Sequence, residues 1–273
     1  MDASLITVLQ CLCVALVALL YAAVGHGGAT GYIALLSLFG LQHEEIATTA
    51  LILNTVVASI SLTNYYRAGC FQLKQALPYL ILSIPLAYIG ARLPVDKQTF
   101  SYILGTMLAL AALRFAVLPS ASFKTKDTNE PLENQLANKE LQKKELSDDE
   151  LIQHPPIVVT AGAGGILGLL SGIVGIGGGV FLSPLIIFKH WATTKQTSAI
   201  SALFIVVNSI SGLAGRFSDG KGEMVHLLPF LLVAAPAAVI GSTYGASKFT
   251  SRNLQRLLAI VLALAAIKLF RTT

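Results

Sequence analysis

An all-α, polytopic membrane protein built from two inverted repeats is the fold class this chain predicts. Three observations carry that expectation: composition, a duplicated order of motifs, and a reversed bias of loop charge. Only 12% of residues are charged and 54% are hydrophobic, and the mean hydropathy is +0.70. Eight of the fourteen acidic residues fall between Asp127 and Glu150, so the rest of the chain is more apolar still. A soluble domain of this length could not cover its surface with so few polar groups.

The duplication is explicit. Val24-Gly25-His26-Gly27-Gly28 recurs as Val174-Gly175-Ile176-Gly177-Gly178 after 150 residues. Leu77-Pro78, Pro85 and Ile89-Gly90 recur as Leu228-Pro229, Pro236 and Ile240-Gly241 after 151, and Leu108–Arg114 recurs as Leu262–Lys268 after 154. Glycine-broken apolar segments at matching places in two halves are a signature of secondary transporters.

Taken in order, apolar runs occupy 5–24, 29–41, 46–66, 73–91 and 100–118, then 157–174, 180–191, 197–215, 224–244 and 254–270. Most approach the roughly 20 residues a spanning helix needs. The second and seventh are too short, and each follows a glycine cluster, so they read as half-helices or re-entrant segments. Each half is thus a glycine-broken long and short helix pair plus three spanning helices. This divides the chain into a first repeat (1–118), a charged linker (119–155) and a second repeat (156–273). The linker's Lys, Glu, Asp, Asn and Gln content suits a solvated tether.

Asp2 is the only charge before the first run, so no basic n-region of a cleaved signal peptide is expected. Loop charge sets orientation. The loop around Gln42–Glu45 is acidic and the one holding Arg67 and Lys74 basic. In the second half the Lys189 and Lys195 loop is basic, the Arg216–Glu223 loop balanced, and the Lys248 and Arg252 loop basic again. The positive-inside rule then places the linker and these basic loops in the cytoplasm, with both termini outside. Corresponding loops fall on opposite sides, which makes the repeats inverted.

Glycine permits positive φ and lets a ligand approach the backbone. A break at Gly25, Gly27 and Gly28, and another at Gly175, Gly177, Gly178 and Gly179, would free N–H groups at the starts of the short helices, near Ala29 and Val180. There the helix dipole is positive. Two such ends meeting near the midplane would cradle an anion. The competing reading is that the glycines only let helices pack closely.

No Asp or Glu lies within an apolar run, which argues against a cation substrate and a carboxylate proton pathway. Neutral donors remain: Thr48, Thr49, Asn54, Thr55, Ser59 and Asn64 in one half, and Thr197, Ser198, Ser201, Asn208, Ser209 and Ser211 in the other. Asn54 and Asn208 lead as substrate contacts, although most such hydroxyls bond their own helix. His26 within the first break is either a titrating, proton-coupling group or a neutral histidine bonded to freed carbonyls. Arg67 and Arg216 end corresponding spans on opposite faces, as snorkelling side chains or as entrance charges attracting anions.

The segment 172–179, Gly-Ile-Val-Gly-Ile-Gly-Gly-Gly, followed by Pro184-Leu185, resembles the signature of the sulfite exporter TauE/SafE family. So does the duplicated order of glycine break, short segment and three helices, over essentially the whole chain. The resemblance implies a multi-pass carrier of the cell inner membrane for sulfite, thiosulfate or organosulfonates. The first copy departs from the pattern: His26 stands where the second has Ile176, Ala29 replaces Gly179, and no proline matches Pro184.

Basic residues sit singly, without a stripe or stacking aromatics, so no nucleic-acid partner is expected. Cys11, Cys13 and Cys70 form neither a metal spacing nor a disulfide framework. No cofactor, metal or catalytic set is expected, and the expected partners are the bilayer and a small anion. A homodimer stays open. Competing functions are a non-transporting subunit that docks an assembly factor through the linker, and a carrier or channel for another carboxylate or oxyanion.

Overall fold

A computed structural model describes residues 3–117 and 155–247, apart from 24, 42, 68, 70, 221, 223, 225 and 226, together with Ala263 and Ile267. The rest of the expected tenth span, most of the linker, and Lys248 and Arg252 lie outside these residues. All regular structure described is helical: α1 (Ala3–Ala23), α2 (Ala29–Leu38), α3 (His43–Arg67), α4 (Leu73–Arg92), α5 (Lys97–Val117), α6 (Ile157–Val174), α7 (Gly179–Phe188), α8 (Thr194–Ser218) and α9 (Leu227–Ser247). Helices α1, α3, α4, α6 and α8 contain stretches long and apolar enough to cross a membrane.

Helix ends follow local chemistry. Thr193 and Gln196 close a reciprocal capping box at the start of α8, satisfying donors that would otherwise lack partners. The Asp96 carboxylate accepts the Thr99 backbone N–H at the start of α5, which holds its pKa below the usual carboxylate range. Gly28 precedes α2 at φ 97° and Gly178 precedes α7 at φ 73°. Both values belong to the left-handed region that glycine enters without steric cost.

Helix directions follow from the residues that meet. Gly164, Gly168 and Gly172 of α6 lie against the backbone of Tyr79, Ser83 and Ala87 of α4, so α4 and α6 run parallel. The Ser211 hydroxyl of α8 donates to the Ile84 carbonyl of α4, Gly215 packs on the Tyr88 carbonyl, and Arg92 pairs with Asp219 at 2.8 Å. Hence α4 and α8 are also parallel. By contrast, Asn54 meets Ser209 and Leu51 meets Gly212, so α3 and α8 run antiparallel.

Because α6 and α8 run the same way, α7 between them must bring the chain back. The first half folds likewise: Thr30 and Gly31 of α2 face Tyr21 and Val17 of α1, so α2 doubles back along α1. Both short helices are therefore re-entrant. They start at the buried breaks and run out toward opposite ends of the bundle, α2 to the start of α3 and α7 to the start of α8.

The two halves exchange helices. Helix α4 packs along α6, and α1 packs along α9. The matched glycines Gly90 and Gly241 sit against the matched carbonyls of Leu169 and Leu19. Small residues at four-residue intervals let backbones approach where no side chain could fit. Large apolar side chains point outward instead, including Leu77 and Ile81 on α4, Val158 and Ile166 on α6, and Leu228 and Leu232 on α9. An apolar exterior around buried polar groups inverts the soluble pattern and suits lipid as the surrounding medium.

Candidate functional site

The two breaks meet at Asn54. Its Oδ1 accepts the Ala29 backbone N–H at 3.2 Å. Its Nδ2 donates to the Ile176 carbonyl at 3.2 Å and to the Ser209 hydroxyl at 3.0 Å. One amide on α3 thus joins the start of α2, the second break and α8. Gly27 and Gly177 lie directly on that amide, and a Cβ at either would overlap it. Close approach requires glycine at position 27, positive φ requires it at 28 and 178, and both require it at 177.

His26, 2% exposed, crosses between the halves. Its Nε2 lies 2.8 Å from the Ser183 hydroxyl of α7, which lies 2.8 Å from the Ser201 hydroxyl of α8. Ser183 also reaches the Gly179 carbonyl at 3.1 Å. This chain of hydroxyls runs one way only, because Ile176 takes the matching place in the second break and buries an apolar side chain.

The structure brings Gly25, His26, Gly27, Gly28, Ala29, Asn54, Gly175, Gly177, Gly178, Gly179 and Val180 into one buried neighbourhood. Some N–H groups there are already used. Gly25 and His26 donate to Ala22 and Tyr21, Gly175 and Ile176 both donate to Ser171, and Gly179 donates to Gly177. The N–H groups of Gly28 and Thr30, and of Gly178 and Val180, find no acceptor among the described residues. Buried backbone donors rarely stay unmatched, and these sit at the positive ends of two helices.

Asn208 does not take the place opposite Asn54. Its Nδ2 donates to the Phe204 carbonyl one turn back at 2.8 Å, and its Oδ1 is buried without a donor among the described residues. The neighbouring Ser209 makes the cross-repeat contact instead. Arg67 is exposed at the end of α3, while Arg216 is 4% exposed near the opposite end of the bundle.

Two residues escaped the sequence reading: Ser183 and Tyr32. Tyr32 is fully buried, its hydroxyl has no partner among the described residues, and its ring lies over Gly28. Each sits four residues after a break glycine, one helical turn into the short helix. That spacing was a signal the sequence already contained.

Buried, glycine-broken re-entrant helices within an apolar bundle define a multi-pass membrane transporter. The profile of the family described as sulfite exporter TauE/SafE matches residues 10–269, and the chain belongs to that family. It is 31% identical over 254 residues to the "Probable membrane transporter protein y4hK" of Sinorhizobium fredii, covering 93% of this chain and 94% of that one. A "Probable membrane transporter protein" of Xylella fastidiosa is 26% identical over 116 residues, 42% of this chain and 44% of that one. No solved structure matches.

Proposed function

We propose that the protein is a secondary carrier of the inner membrane for a small sulfur-containing anion such as sulfite, thiosulfate or an organosulfonate. The anion binds between the starts of α2 and α7. The observation that carries this reading is the set of N–H groups at Gly28, Thr30, Gly178 and Val180 that find no acceptor among the described residues. Charge-assisted hydrogen bonds to anion oxygens would satisfy them. The hydroxyls of Ser183, Ser201 and Ser209 supply further neutral donors, without the desolvation cost of a buried cation. The family's description supports sulfite as the first anion to test.

Inverted repeats are supported by the antiparallel run of the matched helices α3 and α8, and by the exit of α2 and α7 toward opposite ends. Such an arrangement suits alternating access around one fixed site. His26 is the group through which a proton would be coupled, since it joins the first break to α7.

Purified protein in liposomes tests the reading. Sulfite entry down its gradient is the expected result, and entry into protein-free liposomes sets the background. A subunit that only docks a partner through its linker would give no flux above that background. Were His26 to carry a coupled proton, His26→Gln would keep sulfite binding while flux lost its rise at acidic pH, where imidazolium favours an anion. Unchanged pH dependence in that variant would remove His26 from coupling.

A further inference from the structure

We infer that the Asn54 side chain is an internal stand-in for the anion: it holds the α2 start closed and must be displaced when substrate binds. The inference rests on the proposed anion site and assigns Asn54 a positioning role distinct from that of a ligand.

The geometry is unusual for a substrate-binding amide. Asn54 is 1% exposed, and its amide oxygen already occupies the Ala29 N–H, where an anion oxygen would sit. Its nitrogen is spent on Ile176 and Ser209 across the repeat boundary, so both of its donor hydrogens are committed. Gly27 and Gly177 hold the amide from two sides. Independent of these contacts, the buried Tyr32 hydroxyl, packed over Gly28 at the same helix start, has no partner among the described residues. A polar atom left unmatched there marks an incomplete hydrogen-bond set, which an incoming oxyanion would complete.

Displacement is energetically feasible. A neutral amide–carbonyl hydrogen bond contributes little net stability, whereas hydrogen bonds to a charged acceptor are about twice as strong. An oxyanion therefore outcompetes Asn54 for the Ala29 N–H. Losing the Asn54 bonds to Ile176 and Ser209 in the same event would uncouple α3 from the second break and α8. Binding at one helix start is thereby converted into freedom between the two halves.

The test measures sulfite affinity of the full-length detergent-solubilised protein together with its thermal stability. Asn54→Ala vacates the Ala29 N–H, and sulfite should bind at least about fivefold more tightly, the worth of a single neutral hydrogen bond among the three no longer to be broken. Melting temperature without sulfite should fall. Asn54→Asp places a permanent carboxylate at the same helix start, and sulfite affinity should drop at least roughly a hundredfold through competition and like-charge repulsion.

Weaker sulfite binding by Asn54→Ala would make Asn54 a direct ligand and overturn the inference. Unchanged affinity with lowered stability would leave it a structural tie, which also overturns it. For variants that do not fold, wild-type protein labelled with 15N-asparagine supplies the answer. Saturating sulfite should shift the Asn54 side-chain amide signals, and an unmoved pair would refute displacement. Failure of the wild type to bind sulfite, thiosulfate, sulfate or sulfoacetate would remove the anion reading itself. A wild type that binds, with Asn54→Ala weakened, removes only this inference.

Discussion

Residues such as Gly27 and Gly177 show how a backbone atom and a side chain compete for the same volume. Each leaves room for the Asn54 amide that a methyl group would fill. The glycine clusters and Asn54 stand out in the sequence because such residues are costly inside an apolar helix. The partnership among them does not, since it joins residues 25 and 122 positions apart. The sequence singled out Asn208 beside Asn54 as a substrate contact, yet its neighbour Ser209 is the residue that meets Asn54. One residue of slip on a helix turns a side chain by about 100°, which motif matching cannot resolve.

At the scale of elements, the boundaries were legible because apolar runs and glycine clusters mark them. The span read as 157–174 ends where α6 ends, and the short segments start at Ala29 and within a residue of Gly179. That the short helices double back was one of two readings the sequence left open. Length excluded a full crossing, but direction depends on the left-handed turns at Gly28 and Gly178 and on packing against α1 and α6.

The exchanged packing of α4 with α6 and α1 with α9 was hidden, although its glycines were in view as a repeat. Gly90→Val and Gly241→Val should each destabilise the protein by about 2–4 kcal/mol, since neither carbonyl opposite can retreat without moving its helix. Thermal denaturation in detergent checks this. Gly162→Ala, whose added methyl meets open space, should change little. Equal stability of all three variants would mean the seams are looser than described.

For the whole molecule, helix directions gather charge on one face. The end of α3 with Arg67, the start of α4 with Lys74 and the α7–α8 connection with Lys189 lie together there, beside Pro155 at the linker's end. The opposite face carries the Arg92–Asp219 pair. By the positive-inside rule this is the face expected in the cytoplasm, with the linker inside and the termini outside. On a cysteine-free background, single cysteines at Ser4 and Thr272 should react with an impermeant maleimide added to intact cells. One at Asn134 should react only after lysis. External labelling at Asn134, or termini on opposite sides, would reverse the assignment.

Locating a bound anion in the protein decides whether it sits between the starts of α2 and α7. Selenite resembles sulfite in charge and shape and scatters X-rays anomalously. Crystals grown with it should show one selenium peak within hydrogen-bonding reach of the Ala29 and Val180 backbone N–H groups, with the Asn54 amide turned away. A selenium peak found only beside Arg67 or Arg216, with both breaks closed on Asn54, would contradict the account.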